Sequence, residues 1–171
     1  MLSTRYWTFF AIVIAAIGYS MFKPAPPVPV IQSPSDDYSY RYTELENGLK
    51  VLLVSTPDTD KAAAAVSVNV GSGDNPQHRP GLAHFLEHML FLGTDAYPEP
   101  GEYQAYISRH GGRNNAFTAY RQTTYYFSID NDAYEGALDR FAPFFISPRF
   151  DSAYVEREKN AVNAEYLAKI K

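Results

Sequence analysis

Cysteine is absent from all 171 residues. This excludes disulfides, thiolate metal sites, a cysteine nucleophile and a lipidated N-terminal cysteine at once. Any metal must therefore be held by histidine and carboxylate. Charge of one sign is also scarce: the net charge is −4, the pI is about 5.5, and the lysines and arginines are scattered. Phosphate backbones need a basic patch, so nucleic acid is not an expected partner. No internal repeat is present. Apolar material is plentiful, at 46% hydrophobic and 15% aromatic residues, which is enough for one folded domain once the N-terminal segment is set aside.

That segment carries one positive charge between Met1 and Arg5, then a nearly uninterrupted apolar run of 17 residues from Tyr6 to Phe22. The run sits at the lower limit for a membrane-spanning helix, so residues 1–22 read as a signal peptide or an uncleaved membrane anchor. Either implies export to a periplasmic or other extracytoplasmic location, the second with residues 6–22 held in the inner membrane. Pro24, Pro26, Pro27, Pro29 and Pro34 make residues 23–38 an extended, semi-rigid linker. Residues 39–171 are then the folded domain.

Within it, alternation at Tyr40, Tyr42 and Leu45, then Asn47-Gly48, then Leu49 to Ser55 predicts a hairpin with a type I′ turn. A strand is expected over Ala62–Val70 and a helix over Gly81–Leu92 that stops at Gly93. A second helix is expected over Gly101–Arg109 and two strands at Asn114–Ala119 and Thr123–Ile129. Leu138, Phe141, Phe144 and Phe145 lie at helical spacing, and a last helix runs from Ser152 to the end. The order of strands and helices predicts an α+β fold with an antiparallel or mixed sheet packed against helices.

The helix at Gly81–Leu92 contains His84-Phe-Leu-Glu87-His88. Two imidazoles at i and i+4 share one helical face and point at one metal. The neighbours Leu82, Phe85, Leu86, Met89, Leu90, Phe91 and Leu92 are apolar almost all round, which predicts a buried helix. Burying two histidines and a glutamate is costly unless they are paired or bound to metal. The competing reading has core histidines satisfied by backbone carbonyls and Glu87 reaching solvent. Zinc takes three protein ligands in catalytic sites and leaves the fourth position for water, whose pKa falls toward about 7. Glu87 is then placed as general base and, afterwards, general acid.

A third ligand should come from the last helix. Its apolar stripe runs through Val155, Val162, Tyr166 and Ile170; Glu158 and Glu165 nearly superimpose beside it, and Glu156 points away. One carboxylate can ligate the metal and the other accept a hydrogen bond from a ligand histidine. Periodicity does not choose between them.

These residues resemble the pitrilysin and insulinase family of zinc peptidases, whose inverted motif is His-x-x-Glu-His. The likeness extends over Pro80–Gly93, Asn115–Thr118, Glu135–Phe141 and Glu158–Glu165, in family order. It implies a pitrilysin-like fold, His84, His88 and Glu165 as ligands of one zinc ion, Glu87 as catalytic base, and Glu158 as the acid that supports a ligand histidine. It also implies that Asn115, Ala116 and Phe117 lie on an edge strand that pairs with a peptide or small-protein substrate. Family members are several times longer and enclose peptides between two halves. The expected protein is thus a zinc metalloendopeptidase or its catalytic N-terminal domain, needing a C-terminal half or partner subunit. The alternative is a noncatalytic zinc-containing peptide-binding domain or truncated fragment.

Overall fold

A computed structural model describes residues 31–169. The apolar run at 6–22 and residues 23–30 of the proline-rich stretch lie outside the described residues. Residues 31–38 are mostly exposed, and instead of extending throughout they form a turn in which the Asp36 N–H donates to the Ser33 carbonyl at 3.0 Å. The described residues fall into two compact units divided between Asp58 and Thr59.

The first unit contains β1 (Ser39–Glu44) and β2 (Lys50–Ser55), paired antiparallel with Tyr42 opposite Leu52. The hairpin is as predicted, but its turn is not type I′. Gly48 has φ +82, whereas Asn47 does not enter the positive-φ region that type I′ demands. The Gly48 N–H donates to the Leu45 carbonyl, and the Leu45 N–H to the Leu49 carbonyl. This is a three-residue loop closed by a left-handed glycine, and Asn47 accepts the Leu49 N–H through its side chain. The Asn-Gly pair marks the right place; its amide acts as a turn acceptor rather than as a second left-handed residue.

The second unit begins with β3 (Lys61–Val68), followed by α1 (Leu82–Leu90), α2 (Glu102–Arg109), β4 (Arg113–Thr118), β5 (Thr123–Asp130), α3 (Tyr134–Phe141) and α4 (Ser152–Lys169). Its antiparallel sheet has the order β3-β5-β4, so β5 is central and β4 is an edge. Strand β5 is the one rich in aromatic and β-branched residues, and Tyr125, Phe127 and Ile129 all point into the core. They meet Tyr103 and Ile107 of α2, Ala137 and Phe141 of α3, and Phe144 of the following 3₁₀ turn. Edge-to-face pairs bind this core, with ring centres 5.0 Å apart for Tyr103–Phe144 and 5.2 Å for Phe127–Phe141. Such pairs add about 0.5–1.5 kcal/mol each beyond area burial.

The Tyr103 hydroxyl is buried without a hydrogen-bond partner among the described residues, and burial pushes its pKa up. A folded pKa raised above the unfolded value leaves stability intact below about pH 10 and erodes it as pH rises beyond that. Tyr103→Phe removes the orphan hydroxyl and keeps the ring. It is expected to stabilise the domain by about 1 kcal/mol and to move alkaline unfolding to higher pH, both read by denaturant titration.

Helix α1 is less buried than its composition suggests. Met89 and Leu90 face the core, but Leu86 is 42% exposed and Leu82 is also open. The helix packs mainly against α4 and β4, with β5 and the 3₁₀ turn at Ser72–Asp74 touching it as well, which leaves Leu82 and Leu86 uncovered. Gly93, at φ +119, ends the segment where predicted, and a Cβ there would come within 2.7 Å of the Pro98 carbonyl. In α4, Tyr154, Val155, Glu158, Ala161 and Val162 form the half-buried stripe. The predicted extension of the stripe to Tyr166 fails: that ring is 61% exposed, beyond the reach of the short α1 against which α4 packs. No described helix is long and apolar enough to cross a membrane.

Candidate metal centre

Helix α1 supplies His84 and His88, and α4, crossing it, supplies Glu165. Ligand atoms of the three lie within 4.8 Å of one another. His84 Nε2 and His88 Nε2 are 3.3 Å apart, Glu165 Oε2 is 3.4 Å from the first, and Glu165 Oε1 is 3.6 Å from the second. Ligands at about 2.0–2.1 Å from a tetrahedral zinc ion stand about 3.3–3.4 Å from each other. The imidazole pair, and each Glu165 oxygen with the imidazole nearest it, thus stand near the spacing of ligands to one zinc ion. Two inward imidazole lone pairs beside a carboxylate repel one another unless a cation or proton lies between them. The residues present fit a zinc ion.

On its other side, His88 Nδ1 faces Glu158 Oε2 at 3.4 Å. A proton on Nδ1 shared with that carboxylate leaves the Nε2 lone pair free for metal. Arg157 donates to the second Glu158 oxygen at 2.9 Å, holding the carboxylate in place. Burial separates the two glutamates that periodicity leaves equivalent: the Glu158 side chain is 12% exposed and supports His88, whereas Glu165 is 47% exposed and reaches both imidazoles. The difference arises from where α4 crosses α1. Nε2 of His84 and both ring nitrogens of His88 meet each other and these glutamates rather than backbone carbonyls.

Glu87, on the same helix, reaches toward the sheet while lining the cleft beside the two histidines. It is 7% exposed, so it does not reach bulk solvent as the competing reading required. Its Oε2 accepts a hydrogen bond from Thr118 Oγ1 at 2.5 Å. Together with burial, its negative charge pushes up the pKa of Tyr125 beside it, burial being the larger cause. Thr118 has no role in the sequence-based prediction. Its hydroxyl reaches Glu87 across 31 positions, and only the packing of β4 on α1 brings them together, so no local period signals it.

A cleft of about 500 Å³ joins these groups. Glu87, His84, His88 and Glu165 line one part, and Phe91, Gln104, Asn115, Ala116 and Phe117 line another. Asn115, Ala116 and Phe117 lie on β4, which is an edge strand as predicted. Phe117 is half-exposed in the cleft rather than packed in the core. The Ala116 N–H donates to the Asn115 side-chain oxygen at 2.9 Å.

A family model described as Insulinase (Peptidase family M16) matches residues 50–169. Insulin-degrading enzyme of Mus musculus is 51% identical over 137 residues, covering 80% of this chain and 13% of that protein. The A-factor-processing enzyme of Saccharomyces cerevisiae is 48% identical over 130 residues, covering 76% of this chain and 13% of its own length. Among solved structures, pitrilysin superposes with a TM-score of 0.79 at 42% identity, over 84% of this chain and 16% of that one. The chain therefore spans about one-eighth of the length of these curated relatives. Sequence and fold agree: this chain belongs to the insulinase family of peptidases, family M16.

Proposed function

We propose that the chain is the zinc-binding catalytic portion of a metalloendopeptidase, with His84, His88 and Glu165 holding one zinc ion. The observation that carries this reading is that ligand atoms of the three residues lie within 4.8 Å of one another, the two imidazole Nε2 atoms standing 3.3 Å apart. When bound, zinc supplies Lewis acidity, lowering the pKa of water toward about 7 and polarising a carbonyl. Glu87 takes the proton of the attacking water as general base and returns it to the leaving amine as general acid. Glu158 fixes the His88 ring. Strand β4 offers its open edge to an extended peptide, with Asn115, Ala116 and Phe117 in register beside the cleft. Phe91 and Phe117 lend the cleft an apolar lining.

Because the chain spans 13% of its mouse relative, we assign the opposite wall of a substrate chamber to further polypeptide, on a C-terminal half or a partner subunit. The apolar run at residues 6–22 supports export, by a cleaved signal or an inner-membrane anchor, to a periplasmic or other extracytoplasmic site. Residues 23–38 would then tether the remainder, 39–171, as the peptidase portion.

Metal analysis of the purified chain after zinc loading should give one ion per chain. An internally quenched peptide should be cleaved at an internal bond by the loaded protein, with a candidate C-terminal half supplied, and not after chelation. Absence of zinc uptake would overturn the reading. Zinc uptake without cleavage, by the chain alone or with the candidate half supplied, would favour a noncatalytic peptide-binding domain.

A further inference from the structure

We infer that Thr118 is a positioning residue that orients Glu87, an inference that rests on the reading of Glu87 as the general base. Glu87 is almost fully buried, and a buried carboxylate needs a hydrogen-bonding partner. Its partner is the Thr118 hydroxyl at 2.5 Å, the separation of a charge-assisted O–H···O⁻ bond. The direction of that bond follows from counting protons. Each threonine hydroxyl has one. The Thr123 hydroxyl, 3.3 Å from Thr118, donates to the Val70 carbonyl at 2.8 Å, which can only accept. Thr123 therefore has no proton for Thr118, and the proton of Thr118 goes to Glu87.

The donor is fixed in place by backbone. Thr118 ends β4, and the loop beyond it is clasped by the segment after β3: Ser72 N–H donates to the Ala119 carbonyl and Gly73 N–H to the Tyr120 carbonyl, both at 2.8 Å. Gly71 permits this approach, since a Cβ there would lie 2.4 Å from the Ala119 oxygen. The carboxylate thus orients to the hydroxyl. With Oε2 occupied, Oε1 is the oxygen left to handle the proton in the cleft.

Thr118→Val keeps the shape and β-branching and removes only the donor; Thr118→Ser restores it, and Thr118→Ala repeats the deletion should the valine not fold. In urea unfolding of the metal-free chain, Thr118→Val should lower the midpoint in the wild-type background and much less in a Glu87→Ala background. Equal shifts in both would overturn the contact. In zinc-loaded protein assembled with any further half, Thr118→Val should lower kcat by about 10- to 100-fold, with KM within about twofold and zinc content unchanged, while Thr118→Ser stays near wild type. Unchanged kcat in Thr118→Val, or a loss not rescued by serine, would overturn the role. A wild-type assembly that binds zinc but never cleaves would instead refute the peptidase reading and the positioning role with it, and the unfolding comparison would still report on the contact.

Discussion

Glu87→Gln is expected to lower peptide turnover by about 10²–10⁴-fold, the usual contribution of a positioned proton acceptor, with one zinc ion still bound per chain. The substitution is nearly isosteric. Its carbonyl oxygen can still accept from Thr118, so the 2.5 Å contact that seats the side chain has a replacement. The proposed metal donors are His84, His88 and Glu165 and do not include Glu87, which lines the same cleft beside them. What is lost is the capacity to accept a proton. Steady-state kinetics with a quenched peptide, beside metal analysis of the same samples, separates the two functions. A variant that loses zinc along with activity would place Glu87 among the ligands, and one that keeps full activity would remove it from the chemistry.

His88→Ala is expected to weaken zinc binding by about 10²–10³-fold. The figure follows from the roughly 10–16 kcal/mol of a four-ligand zinc site shared among its ligands, about 3 kcal/mol each. His88 carries a second burden, because the Glu158 carboxylate behind it is nearly buried and loses its imidazole contact. Glu158→Gln keeps all three metal donors and weakens only the support, so a smaller loss of about 10- to 100-fold is expected there. Competition with a fluorescent chelator measures both. Equal losses would mean that Glu158 and His88 act as one unit; no loss in His88→Ala would remove it from the site.

The two halves of this site differ in how plainly the sequence announces them. His84 and His88 are legible because a helix places i and i+4 on one face, and His-x-x-Glu-His needs nothing beyond α1 to align. Glu158 and Glu165 both lie on the correct face of α4, yet their division of labour depends on where α4 crosses α1. Seven residues apart, they are equivalent to any helical period. Thr118 is further from view, since a strand-end hydroxyl becomes a partner of Glu87 only through packing. The elements themselves were readable from periodicity, and Gly93 and Gly48 mark their boundaries correctly. Composition overstates the burial of α1 because apolar residues carry no direction: Leu82 and Leu86 are as hydrophobic as Leu90 and remain open.

The open edge of β4 has a consequence for how this protein behaves at high concentration. An edge that can receive a peptide can also receive the edge of another copy, the ordinary route to sheet-to-sheet association. The Asn115 amide oxygen occupies the Ala116 N–H in the free chain, so any incoming strand must first displace a bond already made. This local latch taxes every partner equally and leaves the choice among them to side chains such as Phe117. Peptide ligands and self-association should therefore compete for one strip of backbone, and an extended peptide held in the cleft should keep the protein dispersed.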